Sequence, residues 1–311
     1  MKVLITGGAG FIGSHVVDAY LGQGAEVVVV DDLSSGRRAN LDRRARLMEM
    51  DIRSPDLPAL FAAERPDVVN HHAAQIDVRR SVADPALDAS VNVLGALNVL
   101  ECARKTKVSR MVYASTGGAV YGEPIGLPCR EDHPAQPICP YGASKHAFEH
   151  YLEMYFVLYG LPYTILRYAN VYGPRQDPFG EAGVVAIFTA KMLAEAEIMV
   201  NGDGEQTRDF VFVEDVARAN LLATQLGDAC GIFNIGTGVG TSINQVFEHL
   251  RRATGYRLSP AYGPAMHGET RHIHLECSHA AEGLGWRPEV GLAEGLSRTV
   301  EALRLAGTPP G

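Results

Sequence analysis

The chain has 311 residues, 46% hydrophobic and 21% charged, enough to bury a full core in one large or two fused domains. With 36 acidic against 28 basic residues and a formal net charge of -8, it is poorly suited to a polyanionic partner, and nucleic-acid binding leaves the expected functions. No run approaches the ~20 consecutive apolar residues of a membrane span, and the opening passes from Lys2 into a short apolar run that ends in glycines, so neither a leader nor a membrane partner is expected. The five cysteines, Cys102, Cys129, Cys139, Cys230 and Cys277, are odd in number and scattered. They lack the close pairs of a zinc site and the density of a disulfide scaffold, which points to a reducing, cytoplasmic setting.

In chain order, short β-branched runs alternate with helix-like stretches. Strands are predicted at 3–6, 26–31, 67–70 and 110–115, with a helix at 12–22 after the first. Strands separated by helix-length segments make a parallel sheet covered on both faces. The run Val27 to Val30 has no polar interruption, as expected of a central strand, and Asp31 ends it. Beyond about Asn170 the chain is broken by Gly173, Pro174, Pro178, Gly180, Gly183, Gly202 and Gly204, which reads as a smaller second domain able to close over the strand ends. The expected class is α/β, a doubly wound parallel sheet over 1–170 with a smaller substrate domain over 171–311, of which segments such as 208–240 can pack back on the first. The last residues, 307–311, read as a tail.

TGGAGFIG, with Gly7, Gly10 and Gly13, follows the first strand and opens the first helix. The first glycine permits a tight turn, and the others let a pyrophosphate approach the helix N-terminus. A three-glycine pattern alone is a weak signal, but an acidic residue at the end of the next strand, Asp31, supplies the context that makes it informative. A carboxylate there accepts hydrogen bonds from a ribose 2′-hydroxyl and repels a 2′-phosphate, so the expected cofactor is NAD, with Asp32 adding to the repulsion. Arg37 and Arg38 run against that reading, unless they are solvated surface charge. Asp51 and Ile52 either flank the adenine or cap a helix.

In PYGASK, Tyr141 and Lys145 stand one helical turn apart on one face of a helix predicted over 141–158. An ammonium beside a phenol favours the phenolate, and so does a nearby positive nicotinamide ring, drawing the tyrosine pKa down from about 10 toward neutrality. Tyr141 then suits a general base toward a sugar hydroxyl.

These features, with Ser115 and Thr116 after a strand, resemble the extended short-chain dehydrogenase/reductase family and within it the nucleoside-diphosphate-sugar epimerases. The likeness runs through HHAAQ at 71–75, STGGAVYGE at 115–123, RYANVYGPRQ at 167–176, TRDFVFVEDVA at 207–217, NIGTG at 234–238 and LGWRP at 284–288. The resemblance implies a Rossmann fold, bound NAD and inversion at C4 of a UDP-hexose through a 4-keto sugar. It assigns catalysis to Thr116, Tyr141 and Lys145, with Ser115 a second candidate for the hydroxyl role because Gly117 and Gly118 shift the register. Cofactor contacts fall on Gly7, Gly10, Phe11, Ile12, Gly13, Asp31, Asp32, Asp51, Ile52, Ala73, Ala74, Gln75, Asn92, Ser115, Tyr141, Lys145, Tyr168 and Val171. The UDP-sugar falls to Thr116, Tyr141, Asn170, Gly183, Val184, Arg208, Arg271 and Ile273.

Dehydratases of the same superfamily carry Asp and Glu directly after the threonine, where this chain has Gly117 and Gly118. Met266 stands where many relatives place a diphosphate-binding arginine two residues before Gly268, which leaves Arg208 alone or with Arg271. Ile273 replaces a residue whose size limits the sugar, so plain hexoses are expected with some N-acetylated or uronic sugar tolerated. The resemblance further implies a homodimer through helices near 91–103 and 141–158. The rivals are a net sugar-nucleotide reductase or dehydrogenase and a non-catalytic NAD-binding regulator. His267, His272, His274 and His279 lack the regular pairing of zinc ligands, apart from the strand pair that His272 and His274 could make, so no metal is expected. Cys139 reads as a structural thiol and Trp286 as core packing.

Overall fold

The structure, a computed structural model, describes residues 1–179, 183–227, 229–265 and 270–306. In chain order it runs β1 (Lys2–Thr6), α1 (Phe11–Gly22), β2 (Glu26–Asp31), β3 (Arg46–Glu49), α2 (Leu57–Glu64), β4 (Val68–His71), α3 (Val78–Ala83), α4 (Pro85–Ala89), α5 (Ala96–Lys105), β5 (Arg110–Thr116), α6 (Gly117–Val120), α7 (Pro140–Tyr159), β6 (Tyr163–Tyr168) and β7 (Asn170–Tyr172). It continues through α8 (Val184–Leu193), β8 (Met199–Asn201), β9 (Thr207–Phe212), α9 (Val213–Ala223), β10 (Gly231–Ile235), β11 (Gly240–Ser242), α10 (Ile243–Thr254), β12 (Ala261–Gly263), α11 (Ser278–Gly283) and α12 (Leu292–Ala306).

Side-chain alternation along the strands builds two apolar layers, one on each face of the main sheet. On β1, Val3 and Ile5 pack with Val16, Val17 and Tyr20 of α1 and with Ala217 of α9. Leu4 points the other way, into a core with Leu57 and Phe61 of α2, Val99 and Leu100 of α5, and Phe148 and Leu152 of α7. The seven strands lie in the order β10-β6-β5-β4-β1-β2-β3, and every pairing is parallel. Strand order reverses between β1 and β4, which opens the ligand-binding crevice of such sheets at the strands' carboxyl ends.

β10 and α9 come from beyond residue 170, yet β10 forms the edge of the main sheet beside β6. α9 packs on α1 and inserts Asn220, which accepts a hydrogen bond from Asn70 Nδ2 at 3.0 Å and exchanges one with the Tyr168 hydroxyl at 2.8–3.1 Å. The remaining C-terminal elements surround their own core of Tyr172, Phe188, Phe210, Phe212, Phe247 and Leu296. A three-stranded sheet, β11-β9-β7, and a two-stranded one, β12-β8, belong to this part. Trp286 is fully buried and donates its indole N–H to the carbonyl of Asp215 at 2.8 Å, so it packs a core as expected.

Predicted elements and observed ones agree to within a residue or two. α7 starts one residue before its predicted position because Pro140 suits a first helical turn, and it ends where Gly160 turns left-handed at φ +66°. Continuous helical backbone over 85–105 has the length and composition of a membrane-crossing segment. Here it is a core element of the fold, with Val99, Leu100 and Ala103 fully buried under the sheet.

Candidate active site

The first loop is shaped by close approach. Gly7 stands at φ +69°, and a Cβ there would lie 2.6 Å from the backbone nitrogen of Ala73. A Cβ at Gly13 would come 2.2 Å from the carbonyl oxygen of Gly7, so α1 docks on the loop only because residue 13 has no side chain. Gly10 caps α1 in extended conformation without a side-chain hydrogen bond, and the first turn carries no acidic residue. The helix therefore presents its N-terminal N–H groups and positive dipole end uncapped.

That end opens on a cavity of about 640 Å³ lined by Gly7, Gly10, Phe11, Ile12, Gly13, Asp31, Asp32, Asp51, Ile52, Ala73, Ala74, Gln75, Ser115, Tyr141, Lys145 and Tyr168 of the expected set. Asp31 is fixed at the far wall: Oδ2 accepts the Ala9 N–H and Oδ1 the Leu33 N–H, both at 2.9 Å. Burial pushes its carboxyl above the usual value, against those two bonds. Asp51 takes up Arg53 in a fork at 2.5–3.1 Å, and it too faces the cavity. A glycine cradle that any Cβ would fill, an uncapped helix end and a fixed buried carboxylate fit a dinucleotide with a free 2′-hydroxyl.

On α7 the residues 141, 145 and 149 recur once per turn and share one face. Tyr141, half-buried, reaches the cavity, with its backbone N–H 3.3 Å from Ser81 Oγ. Lys145 lies behind it, 4% exposed, its ammonium 4.7 Å from the centre of the Tyr113 ring. Burial pushes Lys145 down to about 8, although the carboxylates of Glu149 and Asp88 pull it upward. Burial and the Lys145 charge in turn push His72 down to about 3, keeping an uncharged imidazole on the cavity wall.

Glu149 anchors this helix. Its oxygens accept the Arg167 guanidinium at 3.0 and 2.6 Å and the Ser115 hydroxyl at 2.5 Å, tying α7 to β5 and β6, and lie 3.0 Å from His146 Nδ1. Burial alone would raise this carboxyl, but His146, Arg167 and Ser115 together hold it down to about 2. Neither Glu149 nor Arg167 was assigned a role from the sequence.

Since the Ser115 hydroxyl is committed to Glu149, Thr116 is the hydroxyl left at the end of β5. It comes together with Asn170 above Gly118, where an added Cβ would lie 3.9 Å from Thr116 Oγ1 and 3.8 Å from Asn170 Oδ1. Gly183, the cap of α8, is near Gln176 on the cavity wall, its would-be Cβ 3.3 Å from Gln176 Nε2. Val184 follows and packs on the C-terminal core.

Other expected residues lie elsewhere. Asn92 is buried beside the cavity, where it supports Gln75 by accepting its N–H at 2.8 Å, and Val171 packs against the core under β6. Arg208 Nη1 donates to the carbonyls of Thr207 and Arg271 at 2.9 and 3.3 Å. Arg271 itself is exposed and forks onto Asp203 at 2.8–2.9 Å, so its guanidinium is taken by a carboxylate. Ile273 is 2% exposed and packs with Tyr121, Cys129 and Leu275, off the cavity. Met266, His267 and Gly268 fall outside the described residues. His272 Nδ1 lies 3.0 Å from Thr207 Oγ1, and His279 packs on Phe233. Cys139, half-buried, caps α7 by accepting the Gly142 N–H at 3.5 Å.

Arg37, ambiguous in the sequence, lines the cavity, and so do His72, Arg175, Gln176 and Asp177, to which the sequence assigned no role. Arg175 and Gln176 end the motif RYANVYGPRQ without a role of their own, and for Asp177 the only signal was its place in a polar cluster before Pro178.

Comparison with known proteins agrees with this geometry. Residues 3–236 match the model of the NAD dependent epimerase/dehydratase family. The UDP-glucose 4-epimerase of Mycolicibacterium smegmatis is 47% identical over 309 residues, 98% of this chain and 99% of that protein. The structure of the Thermotoga maritima UDP-glucose 4-epimerase with UDP-glucose superposes with a TM-score of 0.96 at 51% identity, covering 98% of this chain and 99% of that one. That of the Thermus thermophilus UDP-glucose 4-epimerase in complex with NAD gives 0.92 at 45% identity, with coverage of 98% and 99%. Both the glycine cradle and the face of α7 that carries Tyr141 fall inside the matched span, and the chain belongs to the NAD dependent epimerase/dehydratase family.

Proposed function

We propose that the protein is an isomerase that inverts C4 of a UDP-hexose of the glucose and galactose type, with NAD resident in the cavity between β1 and β4. The observation that carries this reading is Tyr141 on the cavity wall with the Lys145 ammonium buried behind it, on a helix clamped by Glu149. When bound, the dinucleotide supplies a reversible two-electron acceptor at the carbon being inverted. Gly7, Gly10 and Gly13 would admit its pyrophosphate to the end of α1, and Asp31 its adenine-side ribose. Tyr141 takes the 4-hydroxyl proton and returns it, Lys145 favours its phenolate, and Thr116 and Asn170 orient the sugar. UDP-N-acetylhexosamine or UDP-glucuronate is the alternative substrate. Interconversion of UDP-glucose and UDP-galactose followed by NMR tests the reading; steady net formation or consumption of NADH would replace it with a reductase or dehydrogenase.

Dimer formation in the cytoplasm is part of the proposal. Leu94, Met154, Val157 and Leu158 are exposed at 64%, 40%, 75% and 60% on the surface of the helical layer near 91–103 and 141–158, which supports pairing there. The five free thiols support a reducing setting.

Asp31→Ala is expected to narrow the preference for NAD over NADP, read by titration of each dinucleotide; wild-type protein that binds NADP more tightly would overturn the assignment of Asp31. A second expectation concerns pH. Lys145 titrates near 8 in the fold and near 10.4 when unfolded, so between those values the unfolded chain binds more protons and this group adds stability as pH rises. Below about 8 the buried charge is a constant penalty. Any thermal stability that Lys145→Met gains over the parent at pH 7 should therefore shrink as the pH is raised through 8 toward 10. A difference constant across that window would show that Lys145 is not depressed.

A further inference from the structure

Arg37 and Arg38 follow Asp31 on the loop that a 2′-phosphate would meet, and a free guanidinium there is what NADP recognition requires. The structure holds both in ion pairs. Arg38 Nη2 lies 3.2 Å from Glu49 Oε2. Arg37 belongs to the cavity wall: its backbone N–H donates to the Ala9 carbonyl at 2.9 Å, and a Cβ on the adjacent Gly36 would be 2.7 Å from Asp31 Oδ1. Its Nη2 is 2.6 Å from Asp177 Oδ2, a carboxylate 140 residues further along the chain that lines the same cavity. Asp177 Oδ1 accepts the Phe179 N–H at 3.0 Å, so the orientation of this carboxylate is set by its own turn. Arg53 and Arg175, also on the wall, are paired in the same way with Asp51 and Asp18.

We propose that Asp177 is a specificity-determining residue for the dinucleotide: it occupies Arg37 and adds a negative charge to those of Asp31 and Asp32 on that side of the cavity, so that exclusion of a 2′-phosphate rests on Asp177 as well as on Asp31. The inference rests on the reading of this cavity as a dinucleotide site. Arg37 and Asp177 side chains are 62% and 37% exposed, so the pair by itself is weak in water. Discrimination comes from two effects acting together, the occupied guanidinium and the carboxylate that a phosphate would have to approach.

The test is titration of the nucleotide-free full chain with NAD and NADP by calorimetry. Asn at 177 keeps the acceptor for Phe179 while removing the charge. Asp31→Ala with Asp177→Asn is expected to bind NADP at least about fivefold more tightly than Asp31→Ala alone, and adding Arg37→Ala should remove most of that gain, leaving only the part due to the lost carboxylate charge. No gain, or a gain undiminished without Arg37, overturns the proposal. Should Asp31→Ala fail to fold, Asp177→Asn alone decides it: the NADP to NAD affinity ratio rises severalfold or the proposal falls. A wild-type chain that binds neither dinucleotide overturns the cavity assignment itself, whereas NAD binding with an unmoved ratio overturns only the role of Asp177.

Discussion

Tyr141→Phe is expected to bind NAD and UDP-sugar nearly as the parent does while losing turnover by at least about 100-fold, the low end for a positioned general base. The substitution removes one oxygen and leaves the ring, so the wall of the cavity keeps its shape. Lys145 stays buried behind it, but its charge then has no phenol to act on. Calorimetric titration and an NMR assay of C4 inversion separate the two outcomes. Most of the activity surviving would sink the assignment, and loss of binding together with turnover would make Tyr141 a residue of architecture.

The second large effect is on stability. Arg167→Leu leaves Glu149 buried at 3% exposure with its main countercharge gone, and breaking a buried pair from one side costs about 3–5 kcal/mol. Urea denaturation should show a midpoint shift of that order. Replacing both partners, Arg167→Leu with Glu149→Leu, should recover much of it, because the unpaired charge is the source of the cost. A loss below about 1 kcal/mol for the single variant would mean water reaches Glu149. Since Glu149 also ties α7 to β5 and β6 through Ser115 and Arg167, the double variant should remain folded yet turn over slowly.

What the sequence could tell depended on distance along the chain. The glycine cradle, Asp31 and the Tyr141–Lys145 spacing were legible because each is a local pattern whose geometry follows from a turn or a helix. Glu149 carried the same helical spacing, but its meaning lies in Arg167 and Ser115 on two other strands, and sequence periodicity says nothing of those partners. Arg37 was visible as a charge and ambiguous, since the carboxylate that occupies it stands 140 residues away. Arg271 repeats the lesson: aligned with the diphosphate by resemblance, it is captured by Asp203, a carboxylate 68 residues away that no motif announced. The smaller sheets were not foreseen because strands of three residues, such as β7 and β11, carry too little alternation to be seen.

The late arrival of β10 bears on how the protein is made. A nascent chain that has emerged only as far as β6 has the glycine cradle, Asp31, Tyr141 and Lys145, yet β6 still offers a row of unpaired backbone groups and α1 an uncovered apolar face. Both are closed by residues 213–235, so on the ribosome the half-built sheet waits some sixty residues for its edge. Unsatisfied strand edges and bare helix faces are the features that recruit chaperones and seed aggregation. A segment cut after residue 170 would keep the glycine motif and Asp31 and still be a poor candidate for an independent folding unit.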